Sequence, residues 1–235
     1  MANAAQTSAS LRKPRTVFLP VHDLPELLRL LRDEYGDPHW WPGDTPFEIA
    51  VGAILTQRAS WKNAEAAISN LKKRGMLAPL ALARARPSDV EEATTPSGFY
   101  KQKARSVIAL AGHINEKYDG NIEGMVGRPL DEVRNELLAL RGIGPETADS
   151  ILLYALGMPS FVVDAYSLRL LERLGMNPGD DYDRLKARFE AALQRVVKDL
   201  ADMHALIVIH CKEVCLKSPK CWECFMSDRC PSKRE

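Results

Sequence analysis

The stretch Leu140-Arg141-Gly142-Ile143-Gly144-Pro145-Glu146-Thr147-Ala148 lies between two segments whose apolar residues have helical spacing. Glycine tolerates positive φ and lets the backbone approach a ligand closely, so the two glycines are typical of a tight turn. Proline suits the first turn of a helix, where its missing N–H costs nothing. Ile143 can fill the gap between the helices. The stretch therefore predicts a joint between two helices at residues 140–148.

The predicted turn leaves backbone N–H groups and the positive end of the second helix free to bind an anion. Phosphates repeated along one DNA strand are a suitable ligand, because contacts to them hold the backbone without reading its sequence. The candidate DNA-contacting residues of the joint are Gly142, Gly144 and Thr147. A pair of glycines alone is also typical of an ordinary connection between helices, whereas the whole string favours the anion site.

Outward from this joint, apolar residues recur with helical spacing along almost the whole chain. No strand-like alternation and no internal repeat competes, so the sequence predicts an all-α fold. A first helix is marked by leucines at residues 24–31. Further helices are predicted at residues 47–57, 61–74, 77–84, 87–94, 101–117, 129–140, 145–156, 165–174, 182–198 and 202–214.

Length and composition set the class of protein. The chain of 235 residues can form one large domain or two small ones. Its 32 basic and 31 acidic residues exclude a strongly basic tail protein but not a DNA-binding surface. No apolar run approaches the ~18–20 residues of a membrane span, and residues 1–16 lack the apolar core of a secretory signal. We expect an intracellular protein, in the cytoplasm or nucleoid, with a flexible arm at residues 1–16.

All five cysteines lie between residues 211 and 230, and an odd number in one short loop makes a poor disulfide framework. Four thiolates suit a [4Fe–4S] cluster or a zinc ion. Structural zinc usually uses two close cysteine pairs, but this loop has only one CxxC, so the spacing favours the cluster. Cys211 is interpreted as a buried helix residue, with His204 and His210 merely flanking it. The candidate ligands are Cys215, Cys221, Cys224 and Cys230.

Three features outside the loop can be interpreted from the residues alone. Asp164 directly precedes a predicted helix, where its carboxylate can act as an N-cap. Three of the four tryptophans, Trp40, Trp41 and Trp61, lie near the start of the helical region and could simply pack in a core. Gln57 ends an apolar helix, so its amide is expected to point outward.

The string at residues 140–148 resembles the helix-hairpin-helix of the endonuclease III superfamily of DNA glycosylases. The resemblance extends over roughly residues 24–231 and is strongest to the branch containing 3-methyladenine glycosylases of endonuclease III type. It implies two helical lobes, a six-helix barrel at residues 44–158 and a second lobe of residues 17–43 and 159–235. The other matching strings are Trp40-Trp41-Pro42, Thr45-Pro46-Phe47-Glu48, Gly52-Ala53-Ile54-Leu55-Thr56-Gln57, Ser97-Gly98-Phe99-Tyr100, Val163-Asp164-Ala165-Tyr166-Ser167 and the terminal cysteines.

The resemblance also implies the chemistry. Asp164 matches the catalytic aspartate, which would stabilise oxocarbenium charge on the sugar and orient or deprotonate water. Glu146 stands where bifunctional members carry the lysine that attacks the sugar, and a carboxylate cannot be that amine. A monofunctional enzyme is therefore expected, with abasic-site lyase activity weak or absent unless another lysine supplies it.

Further roles follow from the same resemblance. The three tryptophans would line a base pocket, where indole faces attract cationic alkylated purines by ~0.5–2 kcal/mol. Gln57 would fill the hole left by the flipped base, and Phe99 or Tyr100 would be a wedge in the opposite strand. Arg58 and the five-residue first gap of the cysteine loop depart from the usual pattern.

The favoured function is hydrolytic removal of damaged bases, in particular alkylated purines, from double-stranded DNA by a monomer. One alternative is a bifunctional glycosylase and lyase for oxidised pyrimidines, which Glu146 disfavours. The other is a non-catalytic iron–sulfur protein that binds DNA structures, which the presence of both Asp164 and Gln57 disfavours.

Overall fold

In the computed structural model, which describes Val21 and residues 23–234, the chain forms helices and short connections. No strand occurs in this part of the chain, so the all-α prediction is confirmed. The arm predicted at residues 1–16 lies outside the described residues. The helices are α1 (Leu24–Tyr35), α2 (Pro46–Leu55), α3 (Trp61–Lys73), α4 (Pro79–Arg84), α5 (Pro87–Thr94), α6 (Tyr100–Tyr118), α7 (Leu130–Ala139), α8 (Pro145–Ser150), α9 (Ala165–Arg173), α10 (Tyr182–Ala192) and α11 (Val197–Glu213).

Local sequence explains where several helices begin. The side chains of Asp23, Thr45 and Ser60 each accept a hydrogen bond from a first-turn backbone N–H, in α1, α2 and α3 respectively. Such caps satisfy donors that the helix itself leaves free. α2 is buried along most of its length, as its nearly continuous apolar sequence predicts. None of the described helices is long and apolar enough to cross a membrane.

Buried hydrophobic side chains form two clusters. The first draws on residues 47–158, and it includes Ile151, Leu152 and Ala155 of the π-helical turn Ile151–Ala155 that continues α8. The second combines Val21 and α1 with residues 153–226. Arg32 on α1 binds Asp199 and Asp202 on α11, with N–O distances of 2.7 and 2.6 Å. α1 is therefore held on α11, and the division into domains at residues 44 and 158 stays a prediction.

The prediction of one helix over residues 182–198 is wrong. α10 ends at Ala192, and α11 begins at Val197 rather than at residue 202. Gln194 and Arg195 have positive φ values of 52° and 53°, which a right-handed helix cannot contain. Apolar residues continue across this turn because both sides pack into the second cluster.

The joint at residues 140–148 is present. α7 ends at Ala139, α8 begins at Pro145, and Ile143 is buried between them. Gly142 has a φ of 80°, and a Cβ added there would lie 2.0 Å from Ser106 Oγ. Gly144 has a φ of −96°, and nothing would lie within 4 Å of an added Cβ. The backbone therefore requires glycine only at the first of the two positions.

Candidate active site and DNA interface

Two adjoining cavities bring most of the predicted site residues together. The first is lined by the three tryptophans together with Gln57, Glu146, Thr147 and Asp164. The second is lined by Gln57, Glu146 and Thr147 again, with Phe99, Gly142 and Gly144. Residues far apart in the chain therefore share one cleft, which we call the active-site cleft.

Asp164 is the N-cap of α9 and is nearly buried, at 9% exposure. Its Oδ1 accepts hydrogen bonds from the backbone N–H groups of Tyr166, at 3.0 Å, and Ser167, at 2.8 Å. The Asp164 backbone N–H donates to Ser167 Oγ at 2.9 Å, which completes a capping box. The N-cap interpretation of Asp164 therefore holds, and the cap fixes the carboxylate at the cleft.

The two carboxylates of the cleft have opposite pKa shifts. Burial raises the pKa of Asp164, but the attraction of His204 and the bonds with Ser167 outweigh it and lower that pKa below its ordinary value. Partial burial and the charge of Asp164 raise the pKa of Glu146, against a smaller lowering by His204. Asp164 is therefore held ionised, while Glu146 takes up a proton more easily.

His204 on α11 is a site residue that the sequence did not reveal. Its Nε2 lies 3.6 Å from Asp164 Oδ2, and its Nδ1 lies 2.6 Å from the Tyr154 hydroxyl. The interpretation of His204 as a flanking residue is therefore incomplete. Nothing in the local sequence distinguishes it, because its neighbours in the fold come from the π-helical turn after α8 and from the N-cap of α9.

Trp41 is the centre of an aromatic group on one wall of the cleft. Its ring meets those of Trp40 and Trp61 edge-on, with ring centroids 5.9 and 5.7 Å apart. It also lies 5.4 Å from the ring of Tyr154. Lys212 Nζ lies 5.8 Å from the Trp40 ring centroid, within cation–π range. The tryptophans do line the cleft, and Lys212 lines it with them.

Gln57 is bound to the hairpin. Its Nε2 donates to the Gly142 carbonyl at 2.9 Å and to Thr147 Oγ1 at 2.8 Å. The amide faces the cleft and is bonded there, because the hairpin offers two acceptors next to the end of α2. Thr147 is buried and holds Gln57.

Phe99 is 60% exposed and has a φ of 45°, so it stands out from the loop before α6. Tyr100 is half-buried and begins α6. Lys103, which the sequence analysis did not select, donates from Nζ to the carbonyls of Leu55, at 2.8 Å, and Ser97, at 2.6 Å. Burial lowers the pKa of Lys103 to about 8. This buried lysine ties the Phe99 loop to the end of α2.

The four candidate ligand cysteines line one cavity beyond the end of α11. Arg173 Nη1 donates to Cys215 Sγ at 3.1 Å, and His210 Nε2 lies 3.8 Å from Cys224 Sγ. Over Val21 and residues 23–234, no group of three or more His, Cys, Asp or Glu side chains is arranged to hold a single metal ion. Cys211 is buried on α11, as expected.

The sequence matches a family model described as "HhH-GPD superfamily base excision DNA repair protein" over residues 51–195. This range is more than half of the chain, and it contains the hairpin and Asp164. The chain belongs to the HhH-GPD superfamily. The resemblance to the endonuclease III superfamily is thereby confirmed, and this HhH-GPD protein is a DNA glycosylase of base excision repair.

Two relatives illustrate the extent of the similarity. A Methanocaldococcus jannaschii protein named "Putative DNA repair glycosylase MJ1434" is 44% identical over 211 residues, which cover 88% of this chain and 96% of that protein. Endonuclease III of Thermotoga maritima is 29% identical over 188 residues, or 79% of this chain and 82% of that one. The HhH-GPD chain therefore spans most of the length of both.

Solved structures show the same fold. The Helicobacter pylori 3-methyladenine DNA glycosylase MagIII, bound to 1,N6-ethenoadenine, is 31% identical and has a TM-score of 0.72. The match covers 80% of this chain and 96% of that one. A trapped covalent complex of endonuclease III with DNA also has a TM-score of 0.72, at 23% identity, over 88% of this chain and 93% of that one. At that identity the second likeness concerns the fold alone.

Proposed function

We propose that this glycosylase hydrolyses the N-glycosidic bond of alkylated purines in double-stranded DNA and leaves the strand uncut. The observation that carries the proposal is the composition of the active-site cleft. A capped, ionised Asp164 shares the cleft with three tryptophans, and Glu146 takes the hairpin position that a lyase fills with lysine. The cleft thus offers charge stabilisation and stacking surfaces without an amine at the hairpin.

The main catalytic role of Asp164 is to stabilise the positive charge that develops on the sugar. Loss of the base leaves positive charge on the sugar, and a fixed carboxylate in a water-poor site stabilises that charge without having to reorganise. The two backbone bonds to Oδ1 hold the carboxylate still, which leaves Oδ2 to face the reaction. Water then attacks the sugar, with the carboxylate orienting it or accepting its proton.

The aromatic wall favours purines. A flipped base is commonly held by stacking between aromatic side chains, and the rings of Trp40, Trp41 and Trp61 offer such surfaces. A cationic methylated purine gains a further ~0.5–2 kcal/mol from each well-placed indole face. The similarity to a 3-methyladenine glycosylase bound to 1,N6-ethenoadenine supports this substrate class.

Gln57 and Phe99 are the proposed contacts inside the opened duplex. Gln57 is held by two hairpin acceptors, so its position is defined before DNA binds. Phe99 projects from a loop that Lys103 holds in place. Both residues line the second cavity, which supports their proposed roles as a plug and an apolar wedge.

We infer that the cysteine loop holds a [4Fe–4S] cluster rather than zinc, because the loop has only one CxxC pair. All four cysteines line one cavity, which a single cluster would bridge. The Arg173 guanidinium donates to Cys215 Sγ, which suits a thiolate ligand. When bound, such a cluster cross-links the four cysteines. Arg169 and Arg173 donate to the loop carbonyls of Cys215, Leu216 and Lys217, so the loop in turn fixes α9, which Asp164 caps.

Iron content tests this assignment. Purified protein should be brown, absorb broadly at ~400 nm and contain about four iron atoms per chain. Cys221→Ser should lose the colour and the iron, whereas the control Cys211→Ala should keep both, because Cys211 does not line the cavity. A content of about one zinc ion per chain, with no iron, would contradict the cluster and support the zinc alternative.

A lesion panel tests the function. Duplexes carrying 3-methyladenine, 1,N6-ethenoadenine, thymine glycol or an abasic site are incubated with the enzyme, with and without borohydride. We expect release of the alkylated purines and little action on thymine glycol. Faster release of thymine glycol with strand cleavage would favour the oxidised-pyrimidine alternative. Binding to all four duplexes without base release would favour the non-catalytic one.

A further inference from the structure

The two carboxylate oxygens of Asp164 have different partners. Oδ1 accepts both backbone N–H groups of the α9 cap, whereas Oδ2 lies 3.6 Å from His204 Nε2. His204 is only 5% exposed. Its other nitrogen, Nδ1, lies 2.6 Å from the Tyr154 hydroxyl, which also lies 3.2 Å from the Ala201 carbonyl. A chain of polar groups therefore runs from Ala201 through Tyr154 and His204 to Oδ2.

The proton arrangement along this chain follows from its acceptors. The ionised carboxylate and the carbonyl only accept, so a favourable contact requires a proton on His204 Nε2. In a neutral ring the Tyr154 hydroxyl donates to Nδ1, and this selects the tautomer that carries the Nε2 proton. In a protonated ring Nδ1 donates to Tyr154, whose hydroxyl then donates to Ala201. Both arrangements turn an N–H towards Oδ2.

The groups around Tyr154, His204 and Asp164 favour these protonation states. Burial raises the pKa of Tyr154 well above its ordinary value, with smaller contributions from Asp164 and Asp202, so the phenol stays protonated. The other charged side chains that line the cleft are Glu146 on α8, Lys212 on α11 and Arg58, which follows α2. Tyr166 stands in the first turn of α9.

We propose that Tyr154 and His204 form a positioning relay, in which His204 directs Oδ2 of Asp164 towards the reaction and holds the carboxylate in its charged form. The proposal rests on the catalytic role proposed for Asp164. Oδ1 is already occupied by the two hydrogen bonds of the helix cap, so Oδ2, the reacting oxygen, needs a separate contact to fix its position. The distance of 3.6 Å from His204 Nε2 to Asp164 Oδ2 is longer than a hydrogen bond. The contact is therefore electrostatic, between the oriented N–H of His204 and the negative charge of the carboxylate.

Single-turnover base release from methylated duplex DNA, measured across pH, tests the relay. His204→Leu should slow release by about 10- to 100-fold, since a small misplacement of a reacting group costs on this order. The acid limb of the profile should move to higher pH, because Asp164 loses the neighbour that lowers its pKa. His204→Gln keeps an N–H donor and should retain more activity. Tyr154→Phe should shift the same limb less.

Controls separate this role from a structural one. His113→Gln alters a half-buried histidine on α6, 3.4 Å from Glu136 and outside the cleft, and should leave rate and acid limb unchanged. Affinity for a duplex with an abasic site should be the same in all variants. A loss of rate in His204→Leu that follows its melting temperature, with the acid limb unmoved, would reduce the relay to packing. If Asp164→Asn is inactive while the His204 variants keep both rate and limb, only the relay fails. An active Asp164→Asn removes the catalytic role of Asp164 on which the relay rests, and a wild-type enzyme that releases no alkylated purine removes the proposed function itself.

Discussion

Asp164→Asn should lower the rate of base release by about 10²- to 10⁴-fold, the usual range when a catalytic charge or base is removed. The substitution replaces an anion by a neutral amide of the same shape, so the oxocarbenium charge on the sugar loses its partner. Asparagine is as good an N-cap as aspartate, so α9 should keep its start. The measurement is single-turnover release of alkylated purine from a duplex.

The outcome separates catalysis from capping. Asp23→Asn is the matched control, because Asp23 also caps a helix, accepting from the Glu26 N–H at 2.7 Å, and it lies outside the active-site cleft. Both variants should melt close to the wild-type temperature and bind DNA, but only Asp164→Asn should lose activity. Unimpaired release by Asp164→Asn would leave Asp164 as a helix cap alone.

Base release and strand cleavage should be uncoupled in the wild-type enzyme. Released base should accumulate while the strand stays intact at the abasic site, and cleavage should appear only after alkali or an added abasic-site nuclease. Schiff-base formation needs an amine nucleophile, and the hairpin position carries Glu146. Borohydride should therefore trap little covalent complex, at a level close to that of Asp164→Asn. Denaturing gels of the same reactions, with and without borohydride, measure both quantities.

Glu146→Lys is the converse test. It places an amine at the hairpin beside Asp164 and should raise borohydride trapping above the wild-type level. Glu146→Gln is the matched control, which removes the carboxylate without adding an amine and should trap no more than the wild type. Strong wild-type trapping at the rate of base release would show that another lysine attacks the sugar, and Lys212 in the cleft would be the first to replace.

Several features could be predicted from sequence because they depend on neighbours in the chain. The hairpin follows from its glycines, Ile143 and Pro145, and the N-cap role of Asp164 follows from its place before an apolar helix. The cysteine spacing likewise limits which metal the loop can hold. The prediction of a single helix through residue 195 was wrong because it relied on the local apolar pattern. That pattern continues through a turn that only the backbone dihedral angles reveal.

The remaining site features depend on contacts between distant segments, which no local pattern encodes. His204 looks like any buried histidine until α11 packs beside the start of α9 and places Nε2 near Oδ2. In the sequence, Lys103 is indistinguishable from a surface lysine. In the fold, α6 packs against the end of α2, and the Lys103 ammonium group donates hydrogen bonds to two backbone carbonyls. Gln57 likewise finds its acceptors on the hairpin. The sequence by itself determined the helices, the family and the residue types available for chemistry. The tertiary structure alone decided which of them meet, because burial removes water and leaves each polar group to pair with whatever the packing brings close.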